Sequence, residues 1–406
     1  MKVMISAGEA SGDIHAAKLV DALQKYTSEA LPENPTLQCF GMGGSHLAAR
    51  GVELLVDVEN NTVKGLLEVL HKYPSLRAGL STMRRALTER EPDILILVDY
   101  PHFNMKLAIT ARELGIPVLF FIAPKVWASR PGRVNELKKL VDHMALILPF
   151  EKKLFDDAAV PSTYVGNPLL DNKQLLAVSG TSADKKSTKS EYTKKRIALL
   201  PGSRNSEVSM LLPTMLKTCE VLATAQADPA NEIANNNTQS TLEFILPVAD
   251  TIKHEDIEEI IQQHNVDVKL IEPTDYSTLK KSDVALVASG TATLELAILG
   301  IPMVVTYKLN TISYQVLKRM LTTDYISLVN VIAGKQVVPE ILQDAATAEN
   351  LAREVSKLLT DDKARDKQIT ELASVYKQLG EEGASRRTAE LAIALVRERS
   401  VDLAVS

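Results

Sequence analysis

The chain has 406 residues, 45% of them hydrophobic and 24% charged, with a formal net charge of −5. That length exceeds one ordinary core and predicts two domains, while the charge balance gives no reason to expect nucleic-acid binding. The two cysteines, Cys39 and Cys219, lie in different halves and form no metal-ligand spacing, which fits a reducing compartment.

The opening MKVMISAGEASGD turns polar too soon for a signal peptide. No stretch reaches the roughly 18–20 apolar residues of a membrane span, so a cytoplasmic protein with at most peripheral membrane contact is expected. Lys2–Ala7 reads as a buried strand. SAGEASGD, residues 6–13, then opens a helix, where free amides favour an anion. It holds only Gly8 and Gly12, so it is no dinucleotide fingerprint. Two readings stay open: Ser11 or Asp13 caps the helix, or Glu9 and Asp13 accept hydrogen bonds from sugar hydroxyls.

After a second apolar run, LQCFGMGG, comes a basic amphipathic stretch at 62–90, with six basic residues to two acidic ones. It sets Val63, Leu66, Leu67, Val69, Leu70 and Leu76 beside Lys64, Lys72, Arg77, Arg84 and Arg85. Either it lies on an anionic membrane surface or it is a core-facing helix pair interrupted by Pro74. The strand PDILILVDYP ends in Asp99, where a carboxylate serves as a general base or as a helix cap. Pro101 and Asn104 shape its loop. IPVLFFIAP leads into APKVWASRPGRV, where Trp127, the sole tryptophan, sits among Lys125, Arg130 and Arg133. This suits a sugar or phosphate-bearing ligand, or else a core tryptophan with solvated neighbours. HMALILPF closes the first half.

Residues 171–196 are polar and poorly periodic, and read as a linker or insertion. The βα rhythm restarts with RIALLP. GSRNSEV follows: Gly202 admits close backbone approach, Ser203 donates to phosphate, Arg204 clamps a diphosphate, and Glu207 orients Arg204 or accepts a hydroxyl. A polar loop at 228–241 and the runs LEFILPVA, VDVKLIEP and DVALVAS come next. SGTATLE then makes a second anion-binding turn from Ser289, Gly290 and Thr291, with Glu295 one helical turn in, where it can bind a ribose diol. IPMVVTYK is the last clear strand, and the chain beyond Val338 is mainly helical. The boundaries expected are an N-terminal domain at 1–170, the linker at 171–196, a C-terminal domain at 197–365 and a helical tail at 366–406 that can return to the N-terminal domain. Continuous apolar strands alternating with helices indicate two Rossmann-like α/β halves with parallel sheets and a site at the strands' carboxyl ends, in the cleft between them.

Taken together, SAGEASGD, GMGG, KGLLEVL, PDILILVDYPHFN, PKVWA, LPFE, VGNPLLD, LLPGSRNSEV, SGTATLE and TDYISLVNVIAG run in order from residue 6 to residue 334. In that order the chain resembles lipid-A-disaccharide synthase, a glycosyltransferase of the GT-B fold, over most of its length outside the linker, the 228–241 loop and the tail. The resemblance implies two Rossmann-like domains facing a central cleft. It implies that UDP-2,3-diacylglucosamine donates its sugar to the 6-hydroxyl of 2,3-diacylglucosamine 1-phosphate, with inversion and release of UDP. It also implies a protein peripheral to the cytoplasmic face of the inner membrane, without metal or other cofactor and without nucleic acid, a homodimer being one assembly it leaves open. Asp99, Arg204, Glu295 and Asn330 match family positions tied to catalysis or UDP binding. Gly8, Ser11, Gly202, Ser203 and Thr291 match motif positions, and Asp13 and Trp127 belong to the acceptor side. Lys64, His102 and Ser129 stand where the family usually has Met, Asp and Trp, and bear on the acceptor side. The competing readings are another GT-B enzyme, such as a UDP-N-acetylglucosamine transferase or 2-epimerase, and a nucleotide-sugar-binding protein without turnover.

Overall fold

The computed structural model describes residues 1–30, 36–58, 68–180, 194–227, 241–309 and 323–405, which fall into two compact units. The first is Met1–Asp171 with Leu379–Ser406; the second is Asn172–Gln378.

In the first unit, β1 (Lys2–Ala7), β2 (Gln38–Gly43), β3 (Glu53–Asp57), β4 (Ile94–Val98), β5 (Val118–Phe121), β6 (His143–Leu146) and β7 (Ser162–Tyr164) form one parallel sheet. The spatial order is β3-β2-β1-β4-β5-β6-β7. Side chains alternate across a strand, so each central strand must be apolar at every position to bury both faces. Met4, Leu95, Leu97, Phe120 and Met144 point to one face, against Met83, Leu87 and Leu107 from the helices Glu68–Arg90 and Pro101–Glu113. Val3, Ile5, Ile96, Leu119 and Phe121 point to the other, under Leu19, Val20 and Leu23 of Ala10–Ala30 and Ala389, Ala392 and Ile393 of Ala384–Val405.

The second unit repeats the plan with β8 (Lys194–Leu200), β9 (Thr241–Pro247), β10 (Val268–Ile271), β11 (Val284–Ala288), β12 (Met303–Tyr307) and β13 (Glu340–Leu342), in the order β10-β9-β8-β11-β12-β13. One face packs on Asn205–Ala227 and Ala348–Thr360 through Leu211, Leu212, Met215, Leu351 and Val355. Asn205–Ala225 is long and apolar enough to cross a membrane, contrary to the expectation that no stretch would be. Burial of Val208, Leu211, Leu212, Met215, Leu216 and Cys219 accounts for its apolarity as a core helix.

Other expectations shift in detail. Glu68–Arg90 is one helix that runs through Pro74; the proline forgoes one hydrogen bond, while Met83, Ala86 and Leu87 bind the following turns to the core. Val63, Lys64, Leu66 and Leu67 lie outside the described residues. The segment read as a linker holds a helix, Lys173–Ser179, capped by Asn172 Oδ1, which accepts from Gln174 N at 3.1 Å and Leu175 N at 3.2 Å. The tail divides. Asp362–Gln378 stays with the second unit, where Gln368 Oε1 accepts from Met303 N at 2.7 Å, whereas Ala384–Val405 covers the first sheet.

Candidate functional site

Both sheets reverse their winding once, between β1 and β4 in the first unit and between β8 and β11 in the second. At such a switch point the loops leave the strand ends in opposite directions and open a crevice. SAGEASGD and the Asp99 loop follow β1 and β4; GSRNSEV and SGTATLE follow β8 and β11. Each unit thus brings two of the sequence motifs together at its own switch point.

Asp99 and Tyr100 are both left-handed, with φ of +46° and +47°. Neither is glycine, so the pair is strained and needs bracing. Asn104, fully buried, supplies it: Nδ2 donates to Asp99 O at 2.6 Å, Val98 O at 3.3 Å and Ser6 O at 3.3 Å, while Oδ1 accepts from Ser6 Oγ at 2.6 Å. The Asp99 amide donates to Phe121 O at 3.1 Å, tying the loop to β5. The Tyr100 ring lies over Gly8, where an added Cβ would meet Tyr100 Cδ1 at 2.0 Å. Glycine at position 8 is therefore what lets the SAGEASGD and Asp99 loops touch. Burial first, and the charge of Glu9 second, raise the pKa of Tyr100.

Ser11 is exposed beside this contact, but Asp13 is not. Its carboxylate is 1% exposed and accepts from Gly44 N at 2.8 Å, His46 N at 2.9 Å and Leu47 N at 3.3 Å. The expected sugar contact is corrected: Asp13 holds the GMGGSHL turn and faces inward.

Trp127 follows β5. Its Nε1 donates to Glu151 Oε1 at 3.1 Å, and its ring meets Phe150 edge-on at 5.1 Å. Glu151 also accepts from Leu148 N at 3.1 Å and is 1% exposed. Burial outweighs these donors and pushes its carboxyl up to about 8. The sequence marked LPFE only as a matching stretch; a carboxylate just past a buried strand is the signal that also marked Asp99. His102, beyond Asp99, meets Arg133 Nη2 at 2.9 Å through Nδ1. Burial, then Arg133, Arg130 and Lys106, lower its pKa, so the ring is neutral and accepts from the guanidinium.

In the second unit, Gly202 takes φ of +117°, and an added Cβ would meet Glu207 Oε2 at 2.4 Å. Glu207 folds back over it, accepting from Ser203 N at 3.2 Å and Arg204 Nη1 at 3.1 Å. The carboxylate thus orients Arg204 and leaves its side chain 64% exposed at the start of Asn205–Ala227. Thr251 Oγ1 donates to Ser203 O at 2.6 Å, fixing the turn from outside. Beyond β11, the space beside Gly290 is open and Thr291 is exposed. At the start of Ala292–Leu299 the turn closes on itself, Thr293 N donating to Gly290 O at 3.2 Å and Leu294 N to Thr291 O at 2.9 Å, and no side chain caps the helix. Glu295 is largely enclosed, and desolvation pushes its carboxyl up to about 7.

Ser289 and Asn330 differ from expectation. Ser289 Oγ donates to Ile326 O at 2.8 Å. Asn330 is fully buried; Nδ2 donates to Val338 O at 2.9 Å and Glu340 Oε1 at 2.8 Å, while Oδ1 accepts from Val337 N at 2.7 Å and Val338 N at 3.0 Å. That exhausts an amide's hydrogen bonds. Asn330 therefore acts on a ligand only by shaping the loop, and its expected direct contact with UDP is corrected. Glu340, which also accepts from Ile326 N at 3.0 Å and Ser327 N at 2.9 Å, completes this clamp and was not foreseen from sequence. Among the described residues no group of three or more His, Cys, Asp or Glu is placed to hold a metal.

Residues 3–395 match the family model described as lipid-A-disaccharide synthetase. The chain is 37% identical to the lipid-A-disaccharide synthase of Geobacter metallireducens, with 98% of each chain covered. It is 38% identical to that of Myxococcus xanthus, with 97% of each covered. Among solved structures, it is similar to a UDP-GlcNAc 2-epimerase from Neisseria meningitidis bound to UDP-GlcNAc, at TM-score 0.62 and 16% identity over 96% of this chain and 99% of that one. It is also similar to the calicheamicin glycosyltransferase CalG4, at TM-score 0.56 and 11% identity over 98% of each chain. These two likenesses show the two-domain GT-B fold. With that fold and a match over nearly its whole length, the chain belongs to the lipid-A-disaccharide synthetase family, glycosyltransferases of lipid A biosynthesis.

Proposed function

We propose that the protein transfers 2,3-diacylglucosamine from its UDP derivative to the 6-hydroxyl of 2,3-diacylglucosamine 1-phosphate, inverting the anomeric carbon. The observation that carries this reading is Asp99, a carboxyl group on braced, strained backbone at the switch point of the first unit. In the reaction, Asp99 takes the proton of the acceptor hydroxyl as its oxygen attacks the anomeric carbon. The bond from that carbon to the diphosphate oxygen breaks on the opposite side. Arg204 and the backbone amides of Gly290 and Thr291 offset the charge that grows on departing UDP. Glu295 accepts from the ribose diol. The enzyme works at the cytoplasmic face of the inner membrane, held peripherally. The exposed turn of Glu68–Arg90 with Leu76 and Arg77 supports that contact, and Leu76→Ser is expected to reduce sedimentation with anionic vesicles; unchanged sedimentation removes this turn from the contact.

The test is to supply both acylated substrates and follow disaccharide and UDP. Asp99→Ala is expected to lower turnover by about a hundredfold or more, and Arg204→Ala to weaken UDP binding. Wild-type turnover in Asp99→Ala removes the base assignment. Free UDP or an epimerised donor without disaccharide removes the transfer reading altogether.

A further inference from the structure

The helix that starts immediately after Asp99 and Tyr100 carries an excess of positive charge. His102 and Lys106 lie four residues apart on Pro101–Glu113, hence on one face. That helix packs against Arg133–Leu140, and Arg133 Nη2 meets His102 Nδ1 at 2.9 Å. Arg130 lies three residues before Arg133, joined by the bond from Arg133 N to Arg130 O at 3.0 Å, and it is exposed with a left-handed φ of +57°. Arg84, from Glu68–Arg90, donates from Nη2 to Lys106 O at 3.0 Å, and its buried Nε has no hydrogen-bond partner.

Among the described residues, none of Arg84, Lys106, Arg130 and Arg133 forms an ion pair with a carboxylate. Two neighbouring arginines are paired. Arg112, on the same helix, pairs with Asp142 at 2.8 Å, and Arg90 pairs with Glu53 at 2.6 Å. His102 is no substitute for a carboxylate, because a neutral imidazole accepts one hydrogen bond and leaves the guanidinium charge uncompensated. Clustered like charges cost free energy unless an anion joins them.

We propose that Arg130, Arg133 and Lys106, flanked by Arg84, form a phosphate-monoester subsite beside Asp99 that takes the 1-phosphate of the sugar acceptor. The proposal rests on the transfer reading above. One sugar ring separates the 6-hydroxyl from the 1-phosphate. An anchor for the phosphate on the helix that begins at Pro101 therefore turns the hydroxyl toward Asp99. Arginine forks suit this role, since two parallel N–H donors fix the orientation of a phosphate as well as its charge.

The experiment compares the intact enzyme on the acceptor with and without its 1-phosphate, in neutral detergent micelles. The readout is the ratio of the two kcat/KM values. Wild type is expected to favour the phosphorylated acceptor strongly. Arg133→Ala and Arg130→Ala are each expected to lower that ratio about tenfold, the loss of one charge-assisted contact, and Arg133→Lys is expected to restore part of it. Equal loss on both acceptors overturns the subsite. A ratio that stays at the wild-type value, while sedimentation with vesicles of an anionic phospholipid falls, assigns the cluster to lipid headgroups and also overturns it. If wild type makes disaccharide from neither acceptor, the transfer reading has failed and the subsite falls with it.

Discussion

Asp99 was legible in the sequence because an ionisable residue ends a run of five apolar ones, but what holds it was not. Ser6 and Asn104 are 98 residues apart, and their bond exists only because β1 pairs with β4. Asn104 reaches the backbone carbonyl of Asp99 and not its carboxylate. It is thus a positioning residue, and its removal changes where the base points more than how the base titrates. Asn104→Ala releases two left-handed residues that together store on the order of 2–6 kcal/mol. The expected result is a kcat at least tenfold lower with acceptor KM and the shape of the pH profile little changed. A shifted acid limb, or a loss confined to KM, contradicts the assignment. The same separation in sequence explains Asp13 and Asn330. Both are polar residues in the right motif, and only tertiary contacts 31 and eight to ten residues away reveal that their hydrogen bonds are spent inside the fold.

Among the elements, every strand inferred from sequence is a continuous apolar run. The three that escaped notice, β3, β7 and β13, are outer strands of their sheets. ELLVD, STY and EIL are half-buried and short, so they lack the two-sided burial that makes a strand stand out. The return of a helical tail to the first unit was expected, but not that only Ala384–Val405 makes it while Asp362–Gln378 stays with the second unit. Asp171 makes that junction. Its carboxylate accepts from Gly383 N at 2.6 Å, Ser385 N at 3.0 Å and Ser385 Oγ at 3.0 Å, and so caps the helix from outside. Arg387 Nε then donates to Val165 O at 2.7 Å, beside β7. Asp171→Ala leaves the start of a half-buried helix without its acceptor, at a cost of about 1–3 kcal/mol. Hydrogen exchange is expected to quicken in the first turns after Ala384 before it does so in the Ala10–Ala30 helix. Uniform quickening across the first unit excludes a local cap.

For the molecule as a whole, the parallel sheets were legible in the βα rhythm, whereas the strand order that makes the switch points and the charge states that burial imposes were not. Glu151 keeps its proton up to about 8 in the folded chain and loses it near the ordinary 4.5 when unfolded. Across that window the folded state binds more protons, so stability falls as pH rises. His15 acts in the opposite sense. It is buried and takes up a proton only near 4 when folded, against 6.5 unfolded, so its contribution is lost as pH falls through that range. His102 and His143 are also held below 6.5, burial being the main cause for each. Above about pH 7 His15, His102 and His143 are largely neutral in both states, and among these groups the Glu151 slope dominates. Between pH 7 and 8 that slope amounts to about 1 kcal/mol. Trp127, the one tryptophan, bonds to Glu151 itself, so its fluorescence reports unfolding of this unit and not of the second. Urea midpoints read at Trp127 are expected to fall as pH rises from 7 to 8 in wild type and not to fall in Glu151→Gln. Parallel declines in both proteins would show that the fold does not hold this proton, and that Trp127 is fixed by a carboxylate already charged at neutral pH.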